Sequence, residues 1–310
     1  FCVFSRKVVL LRAMQLIDEK LIGTILRPRR IDAHKGDFGH ALFIGGSYGK
    51  MGAAVLASRA CLRAGVGLLS AYIPACGYLI LQISVPEAMC MTDSETEYIS
   101  AIPANVSDFS AVGVGPGIGR HYATEQALFA LFDTVKKPLV IDADALNLIA
   151  KNKDLLACLP KNSILTPHAM EFERLSGVSR TDRQAQIEAA VRFSAEHQVY
   201  LVLKGAGTII ATPTGAVFRN TTGNPAMATA GSGDVLCGII LSLLAQAYSP
   251  QESAMAGVFL HGWAGDRAAK NRFTITAGDI VDELGVQVTK QEQTRLQNGY
   301  PIAKYSADDL

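Results

Sequence analysis

Charge is scarce in this 310-residue chain: Asp, Glu, Lys and Arg make up 18% of it, 29 basic against 28 acidic residues. A net charge of +1 offers no bulk attraction to nucleic acid or to an anionic membrane surface. The six cysteines, Cys2, Cys61, Cys76, Cys90, Cys158 and Cys237, include no CxxC pair, so no zinc ribbon or thioredoxin-like motif is indicated. Cys61 and Cys237 fall in apolar helical patterns, where a free thiol behaves as a small hydrophobe. All six are read as reduced, in a cytoplasmic protein. No stretch approaches the ~20 uninterrupted apolar residues of a membrane helix. The apolar run Val8–Leu11 is cut at once by Arg12, with no small-residue cleavage site, so it does not read as a signal peptide.

With 49% hydrophobic residues the chain is far from disordered composition. Its apolar segments are short and continuous: 41–44, 66–73, 111–115, 138–142, 163–166 and 200–204. Amphipathic helical patterns follow most of them, the first at 51–64. Such strands suit a mostly parallel sheet covered on both faces, an α/β class. Residues 208–211 and 216–219, around Pro213-Thr214-Gly215, read as a hairpin. Helices are expected after Gly231-Ser232-Gly233-Asp234 and over 252–271. The expected organisation is an N-terminal segment, residues 1–26, a single catalytic domain, residues 27–290, and a flexible tail, residues 291–310.

Open α/β sheets bind ligands at the carboxyl ends of their strands, and four clusters fall there. Gly45 to Gly52 is not a Walker A loop, because Ile44 and Met51 replace its first Gly and its Ser/Thr; it is either a ligand-approaching turn or a plain tight one. Gly113-Val114-Gly115-Pro116-Gly117-Ile118-Gly119 does not fit GxGxxG, which removes the main support for a Rossmann dehydrogenase. In Asp142-Ala143-Asp144, Asp144 reads as a helix N-cap, and Asp142 as a residue able to face a ligand or a metal. In Asn224 to Leu236, small residues open an apolar helix. Amides of Gly231, Ser232 and Gly233 then form an anion hole, and Asp234 in the first turn can take the proton of a hydroxyl attacking phosphorus. An acid there that merely complements the helix dipole is the plainer alternative. Lys204-Gly205-Ala206-Gly207-Thr208 can wrap nucleotide phosphates or simply turn between strands. His168 and Glu171, in Thr166-Pro167-His168-Ala169-Met170-Glu171, open another helix at a strand end.

Taken in order, GHALFIGGSYGKMGAAVLASRACLRAGVG, GVGPGIG, VIDADALN, TPHAMEFERL, VLKGAGTIIATP and GNPAMATAGSGDVL resemble the ADP/ATP-dependent NAD(P)H-hydrate dehydratases of the ribokinase-like superfamily. The match runs from about Lys35 to about Ile280. The resemblance implies a ribokinase-like three-layer α/β/α sandwich. It also implies repair of (S)-NADH hydrate or (S)-NADPH hydrate. The ring hydroxyl is phosphorylated and phosphate leaves, with ADP favoured over ATP, AMP released and Mg2+ required. Carried over, Asp234 is the base; Lys204, Gly205, Ala206, Gly207, Thr208 and Gly233 hold the nucleotide; Ala53, Gly117, His168 and Asp234 contact the hydrated cofactor. Glu171 is a candidate for water-mediated Mg2+ binding. Ala226, Ala230 and Ser232 replace the family's usual Gly, Gly and Thr, and Ser232 keeps the hydroxyl. A cytoplasmic homotetramer is expected, and residues 1–26 are compatible with the tail of a preceding epimerase domain. A small-alcohol or vitamin-precursor kinase of the same superfamily, and a nucleotide-binding regulatory module without catalysis, are the alternatives.

Overall fold

The computed structural model describes residues 14–285. Ten strands form one sheet: β1 (Gln15–Ile17), β2 (His40–Ile44), β3 (Leu68–Ile73), β4 (Met89–Thr92), β5 (Ala111–Val114), β6 (Leu139–Ile141), β7 (Ile164–Leu165), β8 (Tyr200–Leu203), β9 (Ile209–Ala211) and β10 (Val217–Asn220). Their order is β1-β10-β9-β8-β7-β6-β5-β2-β3-β4. Every pairing is parallel except the two that β9 makes with β8 and β10. Eleven α-helices flank it: α1 (Glu19–Ile25), α2 (Met51–Arg63), α3 (Tyr78–Ser84), α4 (Tyr122–Thr134), α5 (Ala143–Lys151), α6 (Lys153–Ala157), α7 (Ala169–Ser176), α8 (Arg183–His197), α9 (Ser232–Ala245), α10 (Pro250–Ala268) and α11 (Ala277–Glu283).

Alternation along the strands divides the core in two. In β2, Ala41 and Phe43 face the layer of α2, α9, α10 and α11, whereas Leu42 and Ile44 face that of α4, α5 and α8. Both faces being covered, the central strands β2, β5, β6, β7 and β8 show no polar side, which is why the sequence reads there as unbroken apolar runs. The result is the expected three-layer α/β/α sandwich. Among the described residues no helix is long and apolar enough to cross a membrane.

On one face α9 packs directly on α2 and on β5. A Cβ at Gly238 would stand 2.1 Å from the carbonyl oxygen of Ala57, and one at Gly113 would stand 2.9 Å from Leu241 Cδ2. These glycines bring the helix backbone close to the sheet and fix where its N-terminus lies over the strand ends.

Two strands were not anticipated, the short edge strands β1 and β4. β1 bears on domain organisation. It pairs in parallel with β10, and Ile17 and Ile22 are fully buried in the core. The boundary expected at residue 26 therefore does not divide the fold: residues 15–26 complete the same sheet and core. The expected tail 291–310 lies outside the described residues. Replacing Ile17 with Ala is expected to lower unfolding free energy by about 2–4 kcal/mol, measured by urea denaturation. A segment standing apart from the domain would give no change.

Candidate active site

From β2 the chain proceeds outward to β3 and β4, and then returns to β5, β6, β7 and β8 on the other side. The crevice beyond the carboxyl ends of β2 and β5 is thus a topological switch point, where open α/β sheets bind ligands. The two glycine loops meet there. Gly46 N donates to Pro116 O at 2.9 Å, and Ser47 Oγ donates to Gly117 O at 2.7 Å. Gly117 has φ +66°, and a Cβ on it would lie 2.7 Å from Lys50 O and 3.0 Å from Ala53 Cβ. Ala53 and Gly117 are therefore brought face to face.

Asp144 ties these loops together. It accepts from Lys50 Nζ at 2.9 Å, Arg120 Nε at 3.2 Å and Gly119 N at 3.2 Å. Burial would raise its carboxyl, but the bonds and charges of Lys50 and Arg120 hold it below the ordinary carboxylate value. The expectation that Asp144 caps α5 is corrected: Asp142 is the N-cap, its Oδ1 accepting from Ala143 N at 2.8 Å. Ala143 is left-handed at φ +53°, an unfavourable conformation for a residue with a Cβ. With that twist the cap lies two residues earlier than expected, and Asp144 is free for the loops.

Four strands along from β2, a buried charge cluster closes the other end of the site. Lys204, at the end of β8, reaches Asp142 Oδ1 at 2.8 Å and lies 3.9 Å from Glu171 Oε2. Burial opposes its charge, but Asp142 and Glu171 keep its ammonium above the ordinary lysine value. A Cβ at Gly233 would stand 3.1 Å from Lys204 Nζ and 3.9 Å from Asp142 Oδ2, so the ammonium sits against the first turn of α9. Asp142 Oδ2 is buried with no hydrogen-bond partner. Burial, and then the charge of Asp142, pushes Asp234 up to about 7; Glu171 is pushed up to about 7 by burial, with Lys204 opposing.

At the opening of α9, Gly231 needs its lack of side chain twice over. Its φ is +87°, and a Cβ would meet Leu56 Cδ1 at 2.4 Å. Ser232 Oγ pairs with His261 Nε2 at 3.1 Å, and burial pushes that imidazole down to about 4, so the ring is neutral at pH 7. The Ser232 hydroxyl is thereby engaged with α10, and the unpaired amides of the helix opening are what remain for an anion.

In the Lys204–Thr208 loop, Thr208 Oγ1 closes the turn onto Gly205 O at 3.1 Å, and Gly205 and Ala206 are exposed. His168 is bridged to Lys204 through the backbone and caps α7. Its Nδ1 accepts from Met170 N and Glu171 N, while Glu171 Oε2 accepts from His168 N at 2.9 Å. The capping box thus holds Glu171 beside Lys204. Two clefts, of about 580 and 720 Å³, open beside the loop 224–229 and are edged by the exposed ring of Phe273. Neither is lined by Asp142, Lys204 or Asp234.

Among the described residues no group of three or more His, Cys, Asp or Glu is placed to hold a metal ion. The orphaned Asp142 oxygen and Glu171 nevertheless suit Mg2+, which takes one or two carboxylates and completes its shell with phosphate oxygens and water. Sequence reasoning gave Asp142 too little weight. It also missed Arg183 and Arg219, which tertiary structure alone brings beside the Lys204–Thr208 loop.

The raised acids fix a pH dependence. The folded protein keeps protons on Asp234 and Glu171 where the unfolded chain has released them. Their contribution to stability therefore falls as pH rises from about 4 to about 7, and is level above that. Asp234→Asn is expected to be more stable than the parent at pH 8, by about 1–2 kcal/mol. The gain should vanish near pH 4 in urea titrations at the two pH values.

Comparison with known proteins identifies the family of the chain. The family model for NAD(P)H-hydrate dehydratase matches residues 41–285. The bifunctional NAD(P)H-hydrate repair enzyme of Moorella thermoacetica is 41% identical over 268 residues, covering 83% of this chain and 51% of that protein. The chain spans about half the length of the first curated relatives it matches. The ADP-dependent (S)-NAD(P)H-hydrate dehydratase of Neisseria meningitidis is 40% identical over 265 residues, covering 84% of this chain and 87% of that one. Among solved structures, the ADP/ATP-dependent NAD(P)H-hydrate dehydratase of Bacillus subtilis, co-crystallised with ATP and Mg2+, superposes with a TM-score of 0.78 at 31% identity, covering 88% of this chain and 97% of that one. The chain, with its ribokinase-like fold, belongs to the NAD(P)H-hydrate dehydratase family.

Proposed function

We propose that this protein converts the (S) hydrate of NADH or NADPH back to the reduced cofactor, with an adenine nucleotide, ADP by preference, as phosphoryl donor. The observation that carries this reading is the position of Lys204 against Gly233, beside an acid raised to about 7. It puts a cation, free helix amides and a proton acceptor at one end of α9.

The chemistry follows from those groups. Asp234 takes the proton of the ring hydroxyl as its oxygen bonds to the terminal phosphorus. The bond from that phosphorus to the remaining nucleotide breaks, giving AMP from ADP. Amides of Gly231, Ser232 and Gly233, with the Lys204 ammonium, stabilise the charge on the phosphoryl oxygens in flight. Phosphate then leaves carbon, a proton leaves the neighbouring carbon, and the ring double bond is restored. Mg2+, held through water by Asp142 and Glu171, would neutralise phosphate charge. The loop Lys204–Thr208 takes the nucleotide, while Ala53 and Gly117 at the switch point, with His168, take the hydrated cofactor. Because Lys204 is already balanced by two acids, it does not trap the product phosphate as a free ammonium would.

We further assign the enzyme to the cytoplasm, on the five described cysteines being free thiols. Assembly as a homotetramer is supported by the low charge fraction and by Leu79 and Ile83, which stand exposed on α3.

Mixed with NADH hydrate, Mg2+ and ADP, the protein is expected to restore reduced-nicotinamide absorbance. Asp234→Asn should lower kcat by about 10²–10⁴-fold with nucleotide affinity retained. The parent's kcat/KM should fall as pH drops below about 7, where Asp234 becomes protonated. A stable phosphate ester accumulating in place of NADH would mark a kinase instead.

A further inference from the structure

Beyond the charge cluster, the Lys204–Thr208 loop is bordered by two arginines that no motif marks. A Cβ on Gly205 would lie 3.5 Å from Arg183 Nη2, and one on Gly207 would lie 2.7 Å from Arg219 Nε. Among the described residues neither guanidinium has a carboxylate partner, and Arg183 Nη2 is buried with no hydrogen bond. Arg183 is also the first residue of α8, a 15-residue helix capped by Asp182, whose carboxylate is engaged with Ala185 N. A cation at a helix N-terminus opposes the macrodipole, and a second cation beside it adds repulsion. Burial first, and Arg219 after it, pulls the Arg183 guanidinium below its ordinary value. An arrangement unfavourable on three counts is stabilised by an anion. Lys204 is not the cation in need of one, since Asp142 and Glu171 already neutralise it.

We propose that Arg183 and Arg219 form an anion subsite for the phosphate of the nucleotide that is not transferred, across the glycine loop from the Lys204–Gly233 end where transfer occurs. The inference rests on the assignment of the nucleotide to that loop. Guanidinium forks suit it, since they can engage phosphate oxygens bidentately. The subsite separates two tasks along one loop: Lys204 faces the phosphoryl group that moves, and the arginine pair grips the portion that stays with adenosine. The pair therefore acts on the affinity of the donor and of the product AMP, and not on the hydrated cofactor.

Calorimetric titration of the full chain tests this with three probes: ADP, AMP and adenosine. In Arg219→Ala, whose side chain is exposed, and in Arg183→Gln, the Kd for ADP and for AMP is expected to rise about tenfold each. The Kd for adenosine should stay within twofold, and thermal denaturation should report a folded protein. The parent's ADP affinity should weaken with added salt more steeply than that of either variant. An unchanged Kd for ADP and AMP in folded Arg219→Ala and Arg183→Gln would overturn the subsite while leaving the parent's hydrate turnover, and so the functional reading, intact. Equal losses for adenosine and AMP would also overturn it, as loop distortion. A parent that neither binds ADP nor restores NADH would overturn the functional reading and the subsite with it.

Discussion

The buried ion pair between Lys204 and Asp142 is the interaction on which the rest of the site depends. An unpaired ammonium or carboxylate at that depth would be strongly disfavoured, so β6 and β8 must present their ends in register, with β7 between them. Glu171 adds a second carboxylate only because the capping box of α7 turns it back toward the strand ends. The cluster holds more acid than base: Asp142, Glu171 and Asp234 surround one lysine. Burial first, and the charge of Asp142 after it, lets Asp234 and Glu171 retain protons near neutral pH, as the proposed proton acceptor requires.

The second constraint is closeness of backbone. Glycines at the switch point let the β2 and β5 loops touch through main-chain and serine bonds, and Asp144 locks them with two cations. Gly238 and Gly113 seat α9 on α2 and the sheet, which sets its first turn above Asp142 and Lys204. The site is therefore assembled by two kinds of small-residue contact, one in the loops and one in the layer that covers them. Side-chain bulk at either would push apart groups that the proposed phosphoryl transfer needs together.

Much of the sheet was legible because its central strands are apolar throughout, from Ala41–Ile44 to Tyr200–Leu203, and turns punctuate them. The hairpin of β9 and β10 was legible from Pro213-Thr214-Gly215. The edges were not: β1 and β4 are three and four residues long, and the exposed ends of Met89–Thr92 carry no core pattern. Within the site, Asp234 and the glycines before it were readable as a helix opening, as was Lys204 before its glycine loop. That Asp142 and not Asp144 caps α5 was not legible, because the cap is followed by the left-handed backbone of Ala143, which local propensity disfavours. Arg183 and Arg219 could not be seen together, since one opens a helix, the other lies within a strand, and only the fold makes them neighbours.

In the proposed mechanism the ring hydroxyl is itself phosphorylated before it leaves, with Asp234 and the α9 amides serving that transfer. Oxygen-18 tests it most directly: NADH hydrate labelled at the ring hydroxyl is turned over with unlabelled ADP, and inorganic phosphate is recovered for mass spectrometry. One oxygen-18 is expected in each phosphate released, because the substrate's own oxygen departs on phosphorus. Unlabelled phosphate, with the isotope found in water, would contradict it and would mean that the hydroxyl leaves without ever bonding to phosphorus.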